Sequence, residues 1–204
     1  MLDSRLGRPD SRMARALDTA ARALVGAGVG ANALSYAALA CGLIAAWCFL
    51  VQHRALAFGW LVLSGLADAV DGRVARLGPG PTPWGGVLDL TFDRVVEAAV
   101  LLGIALPEPS WHRPALVLAC TWYVNLCVFL AVGAASEQRG GKVIHYPPGL
   151  LERSEGLLFA FVVVVAPGWV PAAGYVYAAL EVVTGAQRFL YGKWALQEHR
   201  DVRE

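Results

Sequence analysis

From Asp68 to Asp93 the chain reads DAVDGRVARLGPGPTPWGGVLDLTFD, four carboxylates set into strongly apolar flanks. Charge in such surroundings needs a partner, a hydrogen-bond network or a metal. Residues three or four apart share one face of an α-helix, so Asp68 and Asp71 point one way and Asp89 and Asp93 another. Asp68, Asp71 and Ala75 make one stripe; Gly85, Asp89 and Asp93 make the other. The prolines and glycines between Leu77 and Trp84 must break the helix. The two stripes can then face each other across a helical hairpin.

Four carboxylates brought that close repel one another unless cations offset their charge. With no His or Cys nearby, oxygen-only ligation suits Mg²⁺, Mn²⁺ or Ca²⁺ rather than zinc. Four acids exceed what one Mg²⁺ usually takes from protein, so two ions are expected, and such clusters grip phosphates. A diphosphate-bearing substrate is the first expectation.

The pattern D-x2-D-G-x2-A-R-x8-G-x3-D-x3-D resembles the signature of the CDP-alcohol phosphatidyltransferase family. Asp68, Asp71, Gly72, Ala75, Arg76, Gly85, Asp89 and Asp93 fill all of its fixed positions. The resemblance implies an enzyme that moves a phosphatidyl group from a CDP-linked lipid, such as CDP-diacylglycerol, to a polar alcohol and releases CMP. It implies that Asp68, Asp71 and Asp89 hold two Mg²⁺ or Mn²⁺ ions. Asp93 is expected to touch one of them and to act as general base toward the acceptor hydroxyl. Gly72, Ala75 and Gly85 leave space for the CDP donor. Arg76 offers forked donors either to a diphosphate oxygen or to an aspartate of the motif.

Bulk composition agrees with a membrane protein: 204 residues at 57% hydrophobic with mean hydropathy +0.51, above a typical soluble domain. A hydrocarbon core of about 30 Å takes about 20 helical residues per crossing. Six crossings are predicted, at Asn32 to Val51, Ala55 to Val74, Gly86 to Leu106, Pro114 to Ala135, Leu150 to Ala166 and Val170 to Tyr191. The expected fold is therefore all-α and polytopic, a single domain spanning residues 1–204. It comprises an arm at 1–30, a six-helix bundle at 32–191 and a cytoplasmic tail at 192–204. Of the 17 Lys and Arg, all but Arg54 and Arg113 fall on the side that the positive-inside bias assigns to the cytoplasm. The aspartate hairpin would face that side of a bacterial inner membrane.

Within the arm, Met13, Ala16, Leu17, Ala20, Ala21 and Leu24 form an apolar stripe with Arg12, Arg15, Asp18 and Arg22 away from it. This pattern predicts an amphipathic helix lying in the interface. Cys41, Cys48, Cys120 and Cys127 sit in apolar spans and read as small packing residues. Trp84, Trp111 and Trp169 fall near span ends, as interfacial belts do.

Family members with phosphorylated acceptors, such as inositol phosphate or glycerol phosphate, place basic residues at corresponding helix ends. By that resemblance Arg153 and Arg188, with Arg139 and Lys142, are candidates for the acceptor's phosphate. The competing reading is a positive-inside bias, or pairing with Glu152, Glu155 and Glu181. Asn32 and Ser35 resemble a Pro-Asn-x-x-Thr start of the first span, although Ala31 replaces the proline. Glu97 and Asn125 read as interhelical hydrogen-bonding residues.

Expected partners are the CDP-lipid donor, the alcohol acceptor and membrane lipids, with homodimerisation by family resemblance; nucleic acid is not among them. A membrane prenyltransferase also uses aspartates and Mg²⁺, but on well-separated helix pairs, whereas all four acids here share one hairpin. A divalent-cation carrier or a lipid-binding scaffold is the non-enzymatic alternative.

Overall fold

The structure, a computed structural model, describes residues 12–137 and 153–201. Seven α-helices occupy them: α1 (Arg12–Gly26), α2 (Ala31–Leu50), α3 (Arg54–Leu77), α4 (Pro83–Ala105), α5 (His112–Glu137), α6 (Arg153–Val165) and α7 (Val170–Asp201). Single 3₁₀ turns at Pro109–Trp111 and Pro167–Trp169 lead into α5 and α7. There is no strand among the described residues.

The break between the acidic stripes has a local cause. Gly78 ends α3, and Gly80 takes φ 101°, a left-handed conformation that suits glycine. Thr82 then caps α4, its side chain accepting from Gly85 N at 3.0 Å, and Pro83 fills the first helical position.

α2 organises the N-terminal half. Its buried residues are mostly small: Ser35, Ala38, Gly42, Ala45, Ala46 and Cys48, with Phe49 at the far end. That surface lets both α3 and α4 pack closely on it, while α3 and α4 scarcely touch each other. Gly42 lies against Val96, and Gly103 lies directly on the backbone of Ala46. The hairpin is thus splayed around α2, and its acidic faces meet toward the turn that joins α3 to α4. Four carboxylates cannot pack as a dry interface, and α2 supplies the apolar contact they cannot.

In the C-terminal half α5 and α7 pack along each other, and α6 joins α7 to α3. The main core gathers Phe49, Ala57, Ile104, Trp111, Ala160 and Val163. Trp111 is buried there, with the Arg54 guanidinium 5.1 Å from its ring, so it does not belong to an exposed belt. Trp84 and Trp169 are exposed, at 60% and 71%.

α2, α3 and the segment Pro109–Ala135 are long and apolar enough to cross a membrane. Their outward residues, among them Trp47, Leu116 and Tyr123, are large, apolar and exposed, as lipid contact requires. The chain is an integral membrane protein built of helices. α6 has 13 residues, a length of about 20 Å at 1.5 Å per residue. α7 has 32 residues and continues well past Tyr191, so most of the predicted tail is helix.

The inward face of α1 is Ala14, Leu17, Ala21, Leu24 and Val25, with Met13, Ala16 and Ala20 of the expected apolar stripe exposed. Ala21 packs with Val70 and Val74 of α3. Asp18, expected on the outer face, turns inward to Arg73, Nε to Oδ1 2.9 Å. Packing on α3, rather than apolar content alone, sets the rotation of this helix. All four cysteines are free thiols.

Candidate active site

Three acids converge where α3 and α4 come together. Asp68, Asp71 and Asp89 each present a carboxylate oxygen, and these oxygens all lie within 4.8 Å of one another. Trans ligands of an ion with bonds of about 2.1 Å sit about 4.2 Å apart, so a small closure would bring the trio onto one hard divalent cation. The donor set, oxygen only and partly open to solvent, fits Mg²⁺ or Mn²⁺. Asp71 is buried, Asp68 half-buried and Asp89 exposed, so a ligand would approach from the α4 side.

Ser35 of α2 donates from Oγ to Asp71 Oδ2 at 2.6 Å. The bond occupies one carboxylate oxygen of Asp71 and holds the side chain in orientation, as residues behind a metal ligand do. Sequence reasoning reached Ser35 only through its position in the first span. The partner, on another helix, carries no sequence signal.

Gly72 faces open space: a Cβ placed there would meet only Arg76 Nη1, at 3.5 Å. Ala75 is half-buried and Arg76 exposed on the same turn region. Gly85 is more crowded, since a Cβ there would lie 3.2 Å from Thr82 Oγ1 and 3.8 Å from Asn32 Oδ1. The starts of α2 and α4 therefore meet beside the acidic trio.

Asp93 is not one of the three clustered acids. It lies one turn further along α4 and lines a cavity of about 350 Å³ together with Arg94, Glu97, Asn125, Glu181 and Arg188. Arg94 Nη1 binds Glu97 Oε2 at 2.7 Å and Nη2 lies 3.9 Å from Asp93 Oδ2. Glu97 is thus paired within α4 rather than bridging helices, a contact that its three-residue spacing from Arg94 would have revealed. Asn125 does bridge helices, to Glu181 and Arg188 of α7. The polar wall gives way to Leu61, Val100, Leu101, Ile104 and Trp122 deeper in.

Among the basic candidates, Arg188 reaches the cavity. Its Nη1 donates to Asn125 Oδ1 at 2.9 Å, and its Nε is buried with no hydrogen-bond partner among the described residues. Arg153 opens α6, in which Gly156 and Leu157, one turn further on, line the same cavity. Arg139 and Lys142 lie outside the described residues. An acidic cluster that suits a cation thus opens beside a chamber with a carboxylate and a guanidinium on its walls. Such an arrangement can hold a phosphorylated molecule and move a proton beside it.

A family model described as CDP-alcohol phosphatidyltransferase matches residues 29–187. The archaetidylinositol phosphate synthase of Pyrococcus horikoshii is 30% identical over 182 residues, covering 89% of this chain and 93% of that protein. The phosphatidylinositol phosphate synthase of Mycobacteroides abscessus is 33% identical over 134 residues, covering 62% of this chain and 60% of that protein. Among solved structures, that of Mycobacterium tuberculosis phosphatidylinositol phosphate synthase with CDP-DAG bound superimposes with a TM-score of 0.70. It is 23% identical, and the match covers 88% of this chain and 94% of that one. The same enzyme in complex with manganese and citrate gives 0.69, covering 87% and 88%.

Proposed function

The chain belongs to the CDP-alcohol phosphatidyltransferase family, and on that premise we propose that it joins the phosphatidyl group of a CDP-linked lipid to a phosphorylated polar alcohol. The acceptor hydroxyl oxygen bonds to the lipid-bearing phosphorus, the bond from that phosphorus to CMP breaks, and the hydroxyl proton passes to Asp93. The relatives named as inositol phosphate lipid synthases support an inositol phosphate as the first acceptor to try.

The observation that carries the reading is the meeting of Asp68, Asp71 and Asp89 beside the chamber that holds Asp93 and Arg188. Asp68, Asp71 and Asp89 would hold Mg²⁺ or Mn²⁺, two ions in all with a contribution from Asp93. Bound there, the ions would supply neutralisation of the diphosphate and of the charge on departing CMP. Gly72 and Ala75 leave room for the donor, Gly85 keeps the mouth between α2 and α4 narrow, and Arg76 is within reach of the same space. Asp93, one turn inward, faces the acceptor and takes its proton. Arg188, with Arg153 at the start of α6, receives the acceptor's phosphate, and Arg139 and Lys142 are proposed by family resemblance to share that role.

In this reading the chain is one domain whose six helices α2 to α7 cross the membrane, with α1 in the interface and the acidic end toward the cytoplasm. The distribution of Lys and Arg supports the orientation. A bacterial inner membrane as location is part of the same reading, and a homodimer as assembly is suggested by the family's habit.

Purified protein supplied with CDP-diacylglycerol and Mn²⁺ is to be tested for CMP release with inositol phosphate, glycerol phosphate and unphosphorylated inositol in parallel. Release with a phosphorylated acceptor is expected. Release only with the unphosphorylated alcohol would remove the phosphate-binding role, and release with none of the acceptors would remove the proposed reaction.

A further inference from the structure

Arg188 and Glu181 lie two turns apart on α7, and Asn125 of α5 stands between them. Asn125 accepts at Oδ1 from Arg188 Nη1 at 2.9 Å and donates from Nδ2 to Glu181 Oε2. A carboxamide has a distinct acceptor and donor side, and its two neighbours here are a donor-only guanidinium and an acceptor carboxylate. Only one orientation of Asn125 satisfies both. Asn125 and Glu181 are each 7% exposed, so the relay is shielded from water that could replace it.

The relay leaves Arg188 incompletely used. Nη1 is taken, the guanidinium lies 5.8 Å from the Phe129 ring centre, and Nε is buried without a partner among the described residues. A buried donor left unpaired is costly unless a ligand completes it. The Nε edge can make a two-point contact with a phosphate, and the cavity that it borders also holds Asp93. A residue kept only for positive-inside bias would need no buried amide and carboxylate to fix its direction.

We propose that Asn125 and Glu181 are positioning residues, which anchor one side of the Arg188 guanidinium so that its Nε side is held ready for the acceptor's phosphate. The proposal rests on the reading of this cavity as the acceptor site. Neither residue contacts the reacting atoms; both act through Arg188.

The test is steady-state kinetics with saturating CDP-diacylglycerol and Mn²⁺, varying inositol phosphate, on Arg188→Ala, Asn125→Ala and the double exchange Asn125→Asp with Glu181→Gln. Loss of a hydrogen bond to a charged group predicts that Asn125→Ala raises the acceptor KM about tenfold while the donor KM stays within about twofold. The double exchange keeps an acceptor for Arg188, keeps the total charge and reverses the hydrogen bond between the two side chains, so acceptor KM should return to within about threefold of the parent.

If Arg188→Ala raises the acceptor KM but Asn125→Ala does not, the positioning role is overturned and the acceptor site stands. If Arg188→Ala leaves the acceptor KM unchanged, the acceptor-site reading fails and takes this proposal with it. Equal damage to donor and acceptor parameters in Asn125→Ala would mark a purely structural contact. Should Asn125→Ala fail to assemble, the double exchange decides: a near-parent acceptor KM supports the relay, and a raised one contradicts it.

Discussion

Ser35 Oγ lies 2.6 Å from Asp71 Oδ2, joining the start of α2 to the buried member of the acidic trio. The contact makes α2 both the packing platform of the aspartate helices and the source of a hydrogen bond that orients one of their carboxylates. Losing such a bond behind a metal ligand costs about 10- to 100-fold in metal affinity. Ser35→Ala should therefore shift the Mn²⁺ activation curve to higher concentration by that order, while Ser35→Thr, which keeps the hydroxyl, should stay near the parent. Identical curves for the parent and Ser35→Ala would show that Asp71 needs no such support.

Asp93→Asn should separate binding from chemistry. The amide cannot take the acceptor's proton, so turnover should fall by about 10²- to 10⁴-fold, with CDP-lipid binding and Mn²⁺ binding largely kept. Asp68→Ala and Asp89→Ala should instead lose metal-dependent donor binding. Donor binding measured on all three variants distinguishes the roles, and full turnover in Asp93→Asn would remove the base assignment.

Gly72→Ala tests whether the space above α3 belongs to the donor. An added methyl meets only the end of the flexible Arg76 side chain, and Gly→Ala within a helix favours folding by about 0.5–1 kcal/mol. The melting temperature should hold or rise while the KM for CDP-diacylglycerol increases. An unchanged KM would assign that space to no ligand.

Gly103→Ala should behave in the opposite way. Its Cβ would run into the Ala46 carbonyl, a backbone atom that cannot swing aside. Overpacking of this kind costs about 1–3 kcal/mol, to be read as a lower melting temperature in detergent. Parent-like stability would mean that α2 and α4 can part without penalty.

Much of this arrangement was legible in the chain. The acidic spacing located the trio, and the prolines and glycines after Leu77 located the break, because helix periodicity and φ restrictions act locally. Hydropathy located the apolar helices to within a few residues, except for the C-terminal end of α7, which runs well past Tyr191 because its last turns are polar. What the chain hid depended on packing partners distant in sequence. The splay of α3 and α4 around α2, the rotation of α1 that turns Asp18 onto Arg73, and the bridge from Asn125 to Arg188 each join residues far apart along the chain. Which three of the four acids come nearest one another was hidden for a related reason: a shared helix face fixes direction, whereas the splay decides which turns of two helices meet.

The central claim is that Asp68, Asp71 and Asp89 jointly hold a divalent ion. Anomalous diffraction at the manganese edge from crystals grown with Mn²⁺ and CDP-diacylglycerol addresses it directly. The account predicts a peak about 2.0–2.3 Å from an oxygen of each of these three carboxylates, as small hard divalent ions require, with the donor's diphosphate against it. Saturating Mn²⁺ with no peak at the trio, or a peak bound only elsewhere, would contradict it.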